Sequence, residues 1–340
     1  MIHLLFLLLS LGLVIAGQKL ALTGLKRPGG WAFRRRVQLL IMALPVSTLV
    51  LFALTMLPGM LFPENEHFSS PELHRDWLIF LAGVAVFVAP GGMALLFNLV
   101  RLVWLYLQTG RNTWEAPLGL DRLLEGSFAP AQVRLWHSSR SFAFNLPGLW
   151  PGARARVILS TGMVAELDQE ELRAVLWHES AHLAHRDFWL TWVASWWRLA
   201  FFYLPDSGRI FNLLKDEQEL ACDERVARSG GQPLALALAA ALLKAWEQAL
   251  FPPVARKSFG FSAPGLVSMG PDEAIFTEQR VNRLLDLGSL PARSGPANSI
   301  RQRFRTTGFL GGGVGLWLGM LEIMHLIMLP MGCVLKFGAF

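Results

Sequence analysis

Leu176-Trp177-His178-Glu179-Ser180-Ala181-His182-Leu183-Ala184-His185-Arg186-Asp187 holds two histidines four residues apart, with a glutamate directly after the first. Residues four apart share one face of a helix. His178 and His182 can therefore offer imidazole nitrogens to a single zinc ion, and Glu179 projects beside them toward a water on the metal, where it can act as general base. Two neutral nitrogens and one further carboxylate leave a coordination position open, and zinc there lowers the pKa of its water to about 7. Chance would produce this pattern about 0.01 times in a chain of this composition, so two unrelated surface histidines explain it poorly. The element carrying it is framed as well. Asp168 stands where an N-cap would, with Glu171 three residues on, which is a capping-box pattern and predicts a helix over about 169–185.

A third ligand has to come from elsewhere. In one branch of such enzymes it is a histidine six residues beyond the second, but that position is Phe188 here. Downstream lies Lys215-Asp216-Glu217-Gln218-Glu219-Leu220-Ala221-Cys222-Asp223-Glu224. Glu219 and Asp223 are four apart and share a helix face. Glu219 as third ligand completes a two-His, one-Glu set. Asp223 then falls behind it, able to orient a ligand imidazole through its other nitrogen. On its own the acidic run would read as a solvated helix face.

The rest of the chain says where this chemistry takes place. Of 340 residues, 53% are hydrophobic and only 16% charged, with a mean hydropathy of +0.40. A soluble domain carries about 25% charged residues, so a purely soluble protein and a disordered one are both excluded. Apolar stretches at about 2–25, 37–62, 77–107 and 309–335 are long enough to cross a bilayer, which takes about 20 residues. The third contains Pro90-Gly91-Gly92, a place for a kink or split. The first stretch has no Lys or Arg ahead of it, which argues against a cleaved signal and for a permanent span. Loop 26–36 carries five positive charges and no negative ones, whereas loop 63–76 carries Glu64, Glu66, Glu72 and Asp76 against Arg75. Positive loops face the cytoplasm. The expected topology is four transmembrane helices with the N-terminus outside and the long segment 108–307 in the cytoplasm.

The net charge of +6 then belongs to those cytoplasmic loops. Direct nucleic-acid binding is not expected, since no basic run is interleaved with stacking aromatics. Two cysteines, Cys222 and Cys333, offer no disulfide framework, and Cys222 reads as a small core residue. Short β-like runs at 132–136, 141–144 and 156–159 are separated by turn residues that include Asn145, Pro147 and Gly148. The strand at 141–144 suits pairing with an extended substrate, and it suits an ordinary place in a sheet equally well. An apolar helix is expected over 233–250.

Leu176–Asp187, followed from Glu219 by Glu-Leu-Ala-Cys-Asp-Glu-Arg-Val, resembles the BlaR/MecR-type membrane metallopeptidases. Ser141-Phe142-Ala143-Phe144, Val157-Ile158-Leu159-Ser160 and the Glu-Gln-Arg-Val-Asn-Arg-Leu-Leu stretch from Glu278 are similar to the same family. The resemblance implies zinc, one per chain, held by His178, His182 and Glu219, with Glu179 as catalytic base and Asp223 as an acidic partner. It implies a bacterial inner-membrane location and a protein substrate, either a transcriptional repressor or the enzyme itself. Leu159-Ser160-Thr161-Gly162 also resembles the related HtpX/CAAX-protease family. All three ligands must lie on one side of the membrane, and the gap between His182 and Glu219 is too short for a two-span hairpin. Segment 188–205 is therefore expected on or partly in the membrane surface. Trp189, Trp192 and Trp196 suit that interface and suit a protein core equally. The family's best-known members add a penicillin-binding sensor domain, whose Ser-x-x-Lys motif this sequence lacks.

The expected fold is thus a mainly α membrane protein. Three spans occupy 1–107, a cytoplasmic α+β gluzincin-type metalloprotease domain 108–307, and a fourth span 308–340. The expected activity is zinc-dependent endoproteolysis in signal transduction or regulated proteolysis, with the lipid bilayer and a second copy of the chain among its partners. HtpX-like quality control is the rival within the enzyme class, and a non-catalytic membrane scaffold the rival outside it. His185, three residues beyond His182, could stand behind the ligands or donate a proton, but reads more readily as a solvated helix end. Arg225, Arg228 and Arg280 are all candidate oxyanion donors, with nothing to select among them.

Overall fold

The computed structural model describes residues 71–149, 152–250 and 271–289, together with isolated positions between 12 and 45. The apolar stretches 2–25, 37–62 and 309–335, the basic loop 26–36 and the basic segment before the last stretch lie outside the continuously described residues. The chain divides into two compact units, one of Met1–Ala85 with Ser294–Phe340 and one of Val86–Arg293. In the first, the described residues are helical.

The second unit holds an α+β domain, and a long helix leads into it. Helix α1 (Pro71–Asn112) runs without interruption through Pro90, so the break allowed for at Pro90-Gly91-Gly92 does not occur. Proline withholds one backbone donor, and the helix tolerates it. Its part from Ala89 is inverted relative to a soluble helix. Met93, Leu96, Val100, Val103 and Leu107 form one exposed stripe at helical spacing, while Ala94, Asn98 and Thr109 are buried. Ala89–Asn112 is long and apolar enough to cross a membrane. Ser207–Gln248 passes the same test of length and composition, but its burial points inward, as described below.

Four strands follow: β1 (Thr113–Glu115), β2 (Ala131–Trp136), β3 (Ala143–Leu146) and β4 (Ala155–Ser160), with the short helix α2 (Leu118–Arg122) between the first two. Their order in the sheet is β1-β2-β4-β3. The β2–β4 pair is parallel and the outer pairs are antiparallel. β4 is central, and its last four residues are all buried, as a strand covered on both faces requires. β3 is an edge strand, paired to β4 in the register Ala143↔Leu159 and Asn145↔Val157.

The strands at 132–136 and 156–159 appear within a residue of their expected limits. The strand expected at 141–144 is displaced toward the C-terminus. Ser141 leaves the ladder because its N–H donates to Gln248 Oε1 and its hydroxyl to Glu166. Phe142 N–H donates to the Ser160 hydroxyl. Asn145, expected in a turn, consequently lies inside the strand.

One sheet face carries Val133, Leu135, Val157 and Leu159 into the main core. That core is completed by α3 (Thr161–Glu166), α4 (Gln169–His185), α6 (Ser207–Leu250) and α7 (Pro271–Ser289). The other face carries Phe144, Leu146 and Ile158 against Leu105 and Tyr106 of α1 and Phe188. Phe188 opens α5 (Asp187–Ala200). On α5, Trp192 and Trp196 donate their indole N–H groups to the carbonyls of Asn98 and Gly91 on α1. α6 is broken at Gly231, whose φ of 67° and ψ of −166° fall in a region open essentially only to glycine. Beyond the break, Leu234, Ala235, Leu238 and Ala239 pack into the core. This confirms the helix expected over 233–250 and gives it a place in the domain.

Candidate metal centre

Helix α4 is fixed at both ends. Asp168 Oδ1 accepts the Glu171 N–H at 2.9 Å, and Glu171 Oε2 accepts the Asp168 N–H at 2.8 Å. The reciprocal cap read from the sequence is present. At the other end Arg186 adopts a left-handed conformation with φ 58°, and this turn brings Asp187 back toward the helix it has just left. Between the caps, residues 174–182 are almost continuously buried. His178, Glu179 and His182 are only 6%, 8% and 8% exposed.

His178 and His182 face each other one turn apart, their Nε2 atoms 3.1 Å from one another. Glu219, from the first half of α6, meets both: Oε2 lies 3.3 Å from His178 Nε2 and Oε1 lies 3.6 Å from His182 Nε2. Donors each about 2.0–2.2 Å from a tetrahedral zinc stand about 3.4 Å apart, and these three separations bracket that value. The donor set thus fits a divalent metal in both chemistry and spacing.

Behind each histidine stands a carboxylate. Asp187 Oδ2 lies 3.0 Å from His182 Nδ1. Asp223 Oδ1 lies 3.0 Å from His178 Nδ1, although that ring nitrogen is not aligned on it as a hydrogen bond. Arg280 of α7 clamps Asp223 through Nε at 2.7 Å and Nη2 at 2.8 Å, and places Nη1 3.0 Å from Glu219 Oε2. Cys222 packs alongside, its Sγ 3.3 Å from His182 Nδ1.

The electrostatics follow from these neighbours. Burial would raise the Glu219 carboxyl, but Arg280 and the two imidazoles outweigh it and hold the group well below its ordinary value. Asp223 is likewise lowered by Arg280 and His178 against its own burial. Burial alone would lower both histidines. Asp223 and Glu219 instead raise His178, and the Glu219 and Asp187 carboxylates, with a hydrogen bond to Cys222, raise His182 well above the usual range. Burial pushes the Cys222 thiol up to about 11, so it is a thiol at neutral pH. The pocket therefore favours positive charge, and a divalent cation entering it displaces the histidine protons.

The structure thus brings together His178, His182, Glu219 and Asp223 as the spacing implied. Glu179 lies on the same helix, and its carboxylate Oε2 accepts a hydrogen bond from Asn145 Nδ2 at 2.7 Å. Of the three arginines, Arg280 reaches the site. Arg225 lies over the Phe128 ring at 4.4 Å, and Arg228 pairs with Glu224. His185 turns inward, its Nδ1 3.7 Å from Cys222 Sγ and 3.8 Å from Asp187 Oδ2, where a solvated helix end was expected. Two neighbours of the site, Asp187 and Asn145, carried no weight in the sequence. Asp187 does stand within the quoted motif, five residues beyond His182. Asn145 has no local signal at all.

A cavity of about 940 Å³ opens beside the centre, lined by His182, Arg186, Phe188 and Trp189 and by the β3 end at Pro147 and Gly148. It is large enough to receive several residues of a peptide.

A family model described as BlaR1 peptidase M56 matches residues 60–254, more than half of the chain. The match includes His178, Glu179, His182 and Glu219. A search of curated proteins finds no match.

Proposed function

The chain belongs to the BlaR1 peptidase M56 family, and from that premise we propose that it is a membrane-bound zinc endopeptidase whose metal is held by His178, His182 and Glu219. The observation that carries this is the convergence of those three donors within about one metal's coordination sphere. Bound there, zinc would polarise the scissile carbonyl and make a water acidic enough to be deprotonated near neutral pH. Glu179, beside the donors, would serve as the general base that accepts the water's proton and passes it to the leaving amine. Asp187 holds the His182 ring in place, and Asp223 stands behind His178. Arg280 keeps Asp223 and Glu219 ionised.

We further propose four transmembrane helices, with spans in 1–107 and 308–340 and the protease domain at 108–307 in the cytoplasm of a bacterial cell. In that arrangement the substrate is a cytoplasmic protein, and a transcriptional repressor or the chain itself fits the family. Homodimerisation is part of the same proposal.

Zinc analysis of the detergent-solubilised protein tests the reading. About one zinc per chain is expected. It should be lost or much weakened in Glu219→Ala, but retained in a Glu179→Gln variant that no longer hydrolyses peptides. No bound zinc in the intact protein, with metal supplied, would leave only the scaffold.

A further inference from the structure

We infer that Asn145 is a positioning residue for the proton-transfer group, fixing the Glu179 carboxylate to the edge strand β3. The inference rests on the peptidase reading above. In β3, successive side chains alternate between the two faces. Phe144 and Leu146 go to the face covered by Leu105 and Tyr106 of α1. Asn145 therefore goes to the opposite face, toward α4, and there its Nδ2 donates to Glu179 Oε2 at 2.7 Å. That length is within the range of a well-formed N–H···O hydrogen bond.

The geometric consequence is specific. A carboxylate next to a metal ligand turns about its last side-chain bond, and that torsion is soft. Tying Oε2 to a strand stops the rotation and leaves Oε1 as the oxygen that meets water. Among the described residues, Asn145 is the one hydrogen-bond donor to the Glu179 carboxylate. The strand supplying it is itself held in place. β4 pairs it along one edge, and the Tyr106 hydroxyl of α1 donates to the Pro147 carbonyl at its end, at 2.6 Å. Its other edge carries no strand among the described residues. An extended peptide pairing there would lie on the same strand that aims the base.

Asn145→Leu keeps the volume and removes the donor, whereas Asn145→Gln restores an amide one methylene longer. Zinc content, kcat and KM on one peptide are measured for both, beside the wild type and Glu179→Gln. The leucine variant is expected to keep its zinc and its KM within about twofold and to lose about ten- to a hundredfold in kcat, a fraction of what a general base contributes. The glutamine variant is expected to recover part of that loss. A second readout needs neither metal nor activity. In the metal-free protein, the melting-temperature losses of Asn145→Leu and Glu179→Ala should fall short of additivity when combined, because each removes the same hydrogen bond.

An unchanged kcat in Asn145→Leu, or additive melting losses, overturns the assignment. If the wild type then still cleaves and Glu179→Gln does not, the peptidase reading stands without it. A wild type that holds zinc and cleaves nothing overturns both.

Discussion

Asp187 and Asp223 stand behind the two histidines rather than among the three donors that could hold a metal. Each stands 3.0 Å from the Nδ1 of one of the two histidines, Asp187 in a hydrogen bond with His182 and Asp223 as a charge beside His178. Removing such a partner costs about ten- to a hundredfold in metal affinity. Asp187→Asn and Asp223→Ala are each expected to weaken zinc by that factor, as read by competition with a chromophoric chelator. The same carboxylates make the metal-free site a pH-dependent element. His178 and His182 have folded-state values above the ordinary 6.5. Their contribution to stability is therefore complete below about 6.5 and is lost as pH rises through the raised values. Glu219 and Asp223 are lowered, so their contribution is present above about 4 and is lost as pH falls through those lowered values. The cluster thus supports the metal-free fold best in mildly acidic solution. Zinc needs neutral imidazoles, so its affinity should rise with pH. Melting curves with and without zinc, taken from pH 5 to 8, should diverge as pH rises. A zinc-induced shift that is flat across that range contradicts the electrostatics described here.

Elements differ in how far they can be read without coordinates. Helix α4 was legible to the residue because its determinants are local: a reciprocal cap at Asp168 and Glu171, and histidines at helical spacing. Glu219 and Asp223 were legible for the same reason, since both lie on one face of α6. β3 was not. Its limits are set by partners far along the chain, with Gln248 and Glu166 drawing Ser141 out of the ladder. Asn145 therefore looked like a turn residue, yet it lies in the strand and donates to Glu179. Asp187 was hidden by a single left-handed residue, Arg186, which no helical periodicity foretells. The break in α6 is the element-scale test. Gly231 alone allows the second half of α6 to turn back into the core, and its φ/ψ region costs other residues about 1–3 kcal/mol. Gly231→Ala should lower stability by that amount. Glu219, Cys222 and Asp223 all precede the break, so zinc stoichiometry should stay at the wild-type value. Loss of zinc in a folded Gly231→Ala protein would show that the two halves of α6 act as one.

For the molecule as a whole, the question is what covers α1. A soluble domain leaves few large apolar side chains in water side by side. Here Met93, Leu96, Val100, Val103 and Leu107 are 54–73% exposed along one stripe. The opposite side of the helix meets Trp192 and Trp196 of α5 and, through Leu105 and Tyr106, the outer face of the sheet. The polar Asn98 is turned inward, where its amide donates to the Ala94 carbonyl. Hydrocarbon on one side and protein on the other accounts for that division, and family membership makes lipid the expected solvent. A photoreactive side chain at Leu96, Val100 or Val103 should then yield lipid adducts in native membranes. At Asn98 it should yield crosslinks within the chain. The split has a further consequence for the site. Lipid on the exposed stripe would tie the depth of the helix to the edge strand, because Leu105 and Tyr106 pack against that face of the sheet. Protein crosslinks from all four positions would instead show that the stripe is an interface with another chain.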